Sequence, residues 1–499
     1  MRQRPTGVPA FPAGDGAIEP RRLRVFYPVA PVRGVGFGLL LVCLIALSGA
    51  PGRASSPADL FWRIEADAMA EGGADVPGQI SLRPQVERPA SLPAAGDGGL
   101  RISSADYAPI RLSRGEDQVG RWDCAASGVE VFLPLSPPGD TGWTMGLQQV
   151  NSTDDVWFYE SSSALDAAAD YRLRMETSSQ MVGVAYRDRS GLTLAAARRW
   201  GTSSGSARGS RLAEALDLTN DTSWPAVETE FTDHIVAGSL AIGEWECGIQ
   251  RTWSEPRTSM QLTRKSYKYS APMESDAAST EGYITWRRGP ESYFAALSDE
   301  KSASSGTILM GAVGRGDVSL ESRDRSFMLG WRREEGRRLR QLVLDRRVSS
   351  MGSRAQGYTG VLPGISSDVY TLRLGYDVST VSARYAYRRP LSGSFDVLAS
   401  TAVQYSNVDA QFRIRRARGF WSNPKTVTDY AVDDGIVRMF ALALGVGYED
   451  GNCSASLVCT GGLAGASEIV TDPSDEPSDE PSLQMQPDLF FTFRFDYLF

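Results

Sequence analysis

The feature that most constrains this chain is an alternation of period two. In "IVRMFALALGVGY", residues 436–448, Phe440, Leu442, Leu444, Val446 and Tyr448 alternate with Met439, Ala441, Ala443, Gly445 and Gly447. Successive side chains of a strand point to opposite faces, so this is a strand period. It recurs in Tyr370, Leu372, Leu374 and Tyr376 against Thr371, Arg373, Gly375 and Asp377, and in Val381, Ala383, Tyr385 and Tyr387 against Ser382, Arg384, Ala386 and Arg388. It continues through Phe395–Tyr405 and through Phe412 and Ile414, which are flanked by Gln411, Arg413 and Arg415. The last residues repeat it: Leu489, Phe491, Phe493, Phe495, Tyr497 and Phe499 occupy every second position. Each such strand divides an apolar medium from a polar one. The apolar medium is either the core of a soluble β protein or lipid.

The connections bear on that choice. Tight turns at Arg288-Gly-Pro-Glu, Gly314-Arg-Gly-Asp, Glu334-Glu-Gly, Asp377-Val-Ser-Thr and Glu449-Asp-Gly-Asn alternate with longer links at 270–281, 349–368, 419–435 and 466–487. Short turns on one rim and long loops on the other are the habit of transmembrane barrels. The parity slips near 205–255, where "IVAGSLAIGEWECGIQRTW" reads either as one bulged strand or as a hairpin. The fold class expected is all-β: a closed antiparallel transmembrane β-barrel of roughly 16 to 18 strands. "LFWRIEADA", residues 60–68, is expected to pair with the final strand and close the sheet.

The N-terminal region reads as a targeting segment. Arg21, Arg22, Arg24 and Arg33 precede an apolar run from Val35 to Leu47, too short to span a bilayer as a helix but suited to a signal-peptide core. Cleavage is expected between Ser48 and Ala54, making 1–53 a signal peptide with an extended leader and 54–499 the barrel. Val42 is too large for a lipoprotein site at Cys43. Beyond the leader no apolar run reaches the length of a membrane helix. Removing 1–53 turns 52 basic and 60 acidic residues into 45 and 58, a net charge of −13, which argues against nucleic acid as a partner. Cys124, Cys247, Cys453 and Cys459 remain and read as ordinary apolar residues, with no zinc spacing. Two stretches stand apart: 71–126, rich in Pro and Gly, reads as a long loop or insert, and 466–487, containing the acidic repeat "PSDEPSDEPS", as a solvated surface loop.

No catalytic residue, cofactor or metal is expected, and the chain is not read as an enzyme. The histidine is His234, beside Asp233, and no Gly-x-Ser-x-Gly, His-Glu-x-x-His or phosphate loop is present. Arg373, Arg384, Arg388, Arg413 and Arg415 are expected to face the lumen, where guanidinium groups favour anions. The alternative is that they pair with acids such as Asp377 and Asp496. The function expected is an outer-membrane porin-like channel for passive diffusion of small polar solutes. The rivals are a non-conducting structural or adhesive barrel and a secreted soluble β-rich protein.

The terminal strand resembles the C-terminal assembly signal of bacterial outer-membrane proteins, carried by Phe491, Phe493, Phe495, Tyr497 and Phe499. That resemblance implies recognition by the barrel-assembly machinery, a location in the outer membrane of a Gram-negative-type cell, outer-membrane lipid as surroundings, and room for a homo-oligomer. The long leader, the "LFWRIEADAMAEGG" stretch and the terminal Phe together make the chain similar to the β-barrel porin-7 family of planctomycetes.

Overall fold

The computed structural model describes residues 86–95, 98–114, 117–136, 141–160, 169–209, 223–264, 267–310, 314–359, 368–418, 425–467, 483–487 and 490–498. A short 3-10 helix, Pro89–Ala95, precedes the strands. They are β1 Gly99–Arg114, β2 Asp117–Pro134, β3 Gly142–Glu160, β4 Ala169–Arg187, β5 Leu192–Gly209, β6 Ser223–Ile242, β7 Trp245–Ser254, β8 Arg257–Arg264 and β9 Tyr267–Arg288. The second half comprises β10 Glu291–Met310, β11 Gly314–Glu335, β12 Arg338–Thr359, β13 Asp368–Ser392, β14 Phe395–Arg418, β15 Lys425–Asp450, β16 Cys453–Ser467, β17 Leu483–Pro487 and β18 Phe490–Leu498.

Successive strands pair antiparallel, and β18 returns to β1, with Leu100 opposite Tyr497 and Ile102 opposite Phe495. The sheet therefore closes and no edge is left to face lipid. β7 and β8 both lie between β6 and β9, and β17 and β18 both lie between β16 and β1. Each pair therefore counts as one strand; β7 and β8 part beside Pro256, which has no N–H for the ladder. The barrel is thus a closed antiparallel one of sixteen strands.

Side-chain placement reverses that of a soluble protein. Phe440, Leu442, Leu444 and Val446 are exposed on the outer face of β15, while Met439, Ala441 and Ala443 beneath them are buried. Val397, Val403, Leu457, Phe491 and Phe493 continue the outer apolar belt on neighbouring strands, and Arg494 and Thr492 turn inward. A secreted soluble β protein would bury this belt; here it meets lipid. Near the short turns the belt ends in paired rings: Trp143 with Tyr186 at 5.0 Å, Trp286 with Trp245 at 5.9 Å and with Tyr293 at 5.5 Å, and Phe395 with Tyr448 at 5.2 Å. Half-wet aromatic rings favour that level.

The turns on this rim follow one chemistry. Gly243, Gly289, Gly336, Gly393 and Gly451 have φ between +55° and +59° and take the first central position of two-residue hairpins. Glycine adopts that conformation at no steric cost. The ambiguous segment near 205–255 resolves accordingly into the β6–β7 hairpin, turning at Gly243–Glu244.

Several expected boundaries are corrected. Asp377-Val-Ser-Thr is not a turn: β13 runs through it without a register break, Val378 opposite Ser349 and Val408. The expected links at 270–281 and 349–359 lie inside β9 and β12, and 425–435 lies inside β15. The region 71–126 is not a continuous loop, since β1 and the first part of β2 occupy it, and β1 rather than "LFWRIEADA" pairs with the terminal strand. Pro109 hid β1 from the sequence reading, because the ladder shifts register between Tyr107 and Ile110 to accommodate it. "LFWRIEADA", the leader with its cleavage site, "PSDEPSDEPS" and Phe499 lie outside the described residues.

Candidate functional site: the lumen wall and the segment upon it

The inner wall is polar and its charges are largely matched. On β1, β2 and β18, Arg101 donates from Nη1 to Glu130 Oε2 and from Nε to Asp496 Oδ1, both at 2.7 Å, and Arg494 Nε reaches Asp496 Oδ2 at 3.0 Å. This buried network bridges the seam where the barrel closes. Further round, Arg199 Nε donates to Asp233 Oδ2 at 2.6 Å, with its guanidinium 5.7 Å from the Phe231 ring. Arg287 Nη2 meets Glu246 Oε2 at 2.6 Å, and Arg347 pairs with Asp324. Between these pairs lie hydroxyl ladders such as Ser298–Ser326, Ser302–Ser322 and Thr380–Ser406. The buried charges Arg101, Asp233, Glu246 and Arg347 thus each have a counter-charge on an adjacent strand.

The sequence-predicted arginines divide between faces. Arg384 and Arg388 share the inner face of β13 with buried Ser382 and Ala386. Arg388 donates from Nη2 to Asp396 Oδ2 at 2.6 Å and also pairs with Glu449. Arg373 is a correction: with no turn at 377–380, it falls on the odd-numbered face that shows Val381 and Tyr385 outward, and its side chain is exposed. In the backbone register Arg413 stands opposite Arg373, and Arg415 opposite Thr371. Five lumenal guanidinium groups are therefore not brought together. Of the acids suggested as their partners, Asp377 is exposed on the outer face, and Asp496 is engaged by Arg101 and Arg494. His234 lies on the outer face too, stacked on Trp253 with ring centroids 5.7 Å apart.

What the sequence reading missed is a segment on the inside of the wall. Residues 86–95 run over the inner faces of β2–β6 and reach towards β9. Val86 and Leu92, both fully buried, pack into an apolar patch of Phe132, Met181, Ala185, Ala197 and Ile235. The wall is shaped to receive them: a Cβ on Gly146 would lie 2.7 Å from Leu92 Cδ2 and 2.8 Å from Val86 Cγ2. Polar contacts fix the ends. The Val86 N–H donates to Glu130 Oε1 at 3.3 Å, Gln250 Nε2 donates to the Glu87 carbonyl at 3.2 Å, and Arg88 Nη2 lies 3.6 Å from Glu281 Oε1. The signal available in the sequence was a run of small inward residues, Gly146, Gly183, Ala185 and Ala197, facing no predicted partner.

No known protein family and no curated protein matches the sequence, so the similarity to the planctomycete porin-7 family is not supported. Among solved structures, the chain is similar to the Pseudomonas putida toluene transporter TodX at 12% identity, covering 87% of this chain and 97% of that one, with a TM-score of 0.37. A TodX mutant described as a monoaromatic hydrocarbon channel gives 15% identity over 87% and 98%, TM-score 0.39. The ferric yersiniabactin uptake receptor FyuA from Yersinia pestis gives 8% identity over 81% and 80%, TM-score 0.35. Superpositions this loose say nothing about what passes through the barrel.

Proposed function

We propose that this protein is an outer-membrane channel for passive diffusion of small polar solutes. The observation that carries the reading is the inner wall: sixteen strands enclose paired charges and hydroxyl ladders where a packed β protein would hold an apolar core. Such a wall keeps water. Because its arginines are largely matched by carboxylates, the channel should discriminate weakly between anions and cations. This departs from the anion preference that five lumenal arginines would give. Export through a cleaved signal peptide, and insertion by assembly machinery that reads Phe491, Phe493, Phe495, Tyr497 and Phe499, belong to the same proposal.

A second reading, a non-conducting structural or adhesive barrel, is favoured by segment 86–95 inside the lumen. The two separate in planar bilayers under a salt gradient. The channel predicts steady conductance with a reversal potential near zero. Silence from a β-rich sample with heat-dependent gel mobility would move the reading to the non-conducting barrel. A strongly anion-selective current would leave the channel standing and refute the matched wall.

A further inference from the structure

The apolar belt is not uniform around the barrel. Charge on a lipid-facing position is costly at the bilayer midplane and cheap only near an interface. On β5–β12, outward positions towards the far edge of the belt carry Arg198, Arg251, Lys301, Arg325 and Arg346, all exposed, with half-buried Arg323 beyond them. Their parity is that of the lipid face: Arg198 shares it with Leu194 and Trp200, Arg251 with Ile249 and Trp253, and Arg346 with Leu344 and Val348. Register gathers four of them, with Lys301 opposite Arg323, Asp299 opposite Arg325, and Phe327 opposite Arg346. Asp299 contacts Arg323 at 2.8 Å and Arg325 at 3.5 Å. Among the described residues, no carboxylate lies within ion-pair distance of Arg198, Arg251, Lys301 or Arg346.

The height of this arc identifies what it meets. From Trp245 in the short-turn girdle to Arg251, or from Tyr293 to Lys301, the strand rises ~20–26 Å at ~3.3 Å per residue. At the usual 35–45° tilt that is ~15–20 Å along the membrane normal, within an apolar band ~25 Å tall. Long basic side chains extend further, so their charged ends reach the far interface. At a comparable distance from the short-turn rim, the rest of the circumference presents Ala383, Tyr385, Val403, Tyr405, Leu442 and Phe491. The cluster is confined to one arc, on the outside, where no solute in the lumen can reach it; elsewhere at this level Arg438 is exposed on β15, opposite Tyr405.

We infer that this arc binds the phosphate groups of anionic lipid in the leaflet nearest the far rim. Guanidinium groups match phosphate oxygens in charge and geometry. Trp200 and Trp253 beside Arg198 and Arg251 anchor the same level. Lys301, Arg323, Arg325 and Arg346 are close enough in register to serve one headgroup, with Asp299 holding two of the guanidinium groups in place.

The test uses the full chain in phosphatidylcholine bilayers, with tryptophan fluorescence quenched by brominated phosphatidylglycerol or brominated phosphatidylcholine. The ratio of the two lipids' binding constants is the readout. The wild type should prefer the anionic lipid at least about fivefold, the ratio that ~1 kcal/mol from a single basic side chain at an anionic surface gives. The Arg323→Gln/Arg325→Gln/Arg346→Gln triple, which leaves Lys301, Arg198 and Arg251, should remove most of the preference. Arg438→Gln, outward on β15 away from the arc, should leave it unchanged. Heat-dependent gel mobility checks that each variant is folded. A wild-type ratio of one, or a folded triple that keeps the preference, overturns the inference. So does loss of the preference in millimolar inorganic phosphate but not in chloride of equal ionic strength, since the site would then take free phosphate. Conduction plays no part in this outcome: a closed barrel with the same arc would give the same ratios.

Discussion

Replacing Leu92 by aspartate should release segment 86–95 from the wall and raise the conductance. Leu92 is fully buried among Phe132, Met181, Ala185, Ala197 and Ile235. Burying a leucine side chain is worth about 1.5–3 kcal/mol, and a carboxylate in the same apolar patch adds a desolvation cost on top. The other anchors are weaker. The Val86 and Gln250 hydrogen bonds are 3.3 and 3.2 Å long, and the Arg88–Glu281 contact is 3.6 Å. Each contributes on the order of 1 kcal/mol or less net. Losing ~3 kcal/mol or more shifts the docked-to-released ratio by about a hundredfold, at ~1.4 kcal/mol per factor of ten. Released, the segment no longer occupies the lumen beside β2–β6, and single-channel currents in planar bilayers should grow. Gly146→Leu offers a second route by volume alone, because its side chain would enter the space of Leu92 and Val86. Leu92→Met conserves volume and should behave as wild type. If both disruptive variants fold, by heat-dependent mobility, yet conduct as the wild type does, the segment is not an obstruction and the reasoning fails.

Other expected outcomes test the remaining parts of the architecture. Arg101→Ala leaves Glu130 without its counter-charge in the closing seam, while Asp496 keeps Arg494, and should cost about 3–5 kcal/mol, read as a fall in urea midpoint; an unchanged midpoint would mean that water already screens the pair. Gly330→Val should destabilise by about 1–3 kcal/mol, because the Phe294 ring lies over Gly330. Combining it with Phe294→Ala should recover part of that loss in the same melt. Leu444→Arg, at a position 56% exposed on the outer face, should cost about 2–4 kcal/mol in a lipid refolding assay. A neutral result would show that this face does not meet lipid.

Much of the barrel was legible because lipid imposes a strict alternation. Phe440 to Val446 and Phe491 to Tyr497 could be assigned to faces from sequence, as could the turns at Gly289, Gly336 and Gly451. A proline spoiled the reading elsewhere. Pro109 sits where a ladder shifts register, inside the stretch 71–126 that read as a loop. The site was less legible. Whether Arg373 faces in or out depends on whether a turn lies between it and Arg384, and Asp377-Val-Ser-Thr has the composition of a turn. One misplaced turn inverts every residue before it, since the side-chain period is two. Segment 86–95 has no periodicity at all: its position is set by Gly146 and Gly183 on distant strands.

The misplaced links share a deeper cause. β13, β14 and β15 contain 25, 24 and 26 residues, whereas crossing a bilayer takes about 9–11. Hydrophobic alternation is enforced only where one face meets lipid, as from Phe440 to Val446, and it ceases in the earlier part of β15. The hydrogen-bond ladder does not cease there. Once two strands are registered, each further residue adds backbone bonds without needing an apolar face, so polar sequence beyond the belt stays paired. Alternation in such a chain therefore measures the belt, not the strand. Where it breaks off marks the membrane interface, and that is the level at which Arg325 and Lys301 stand on the outer wall. The same break that hid the strand ends from a sequence reading thus indicates where headgroup phosphates should be sought.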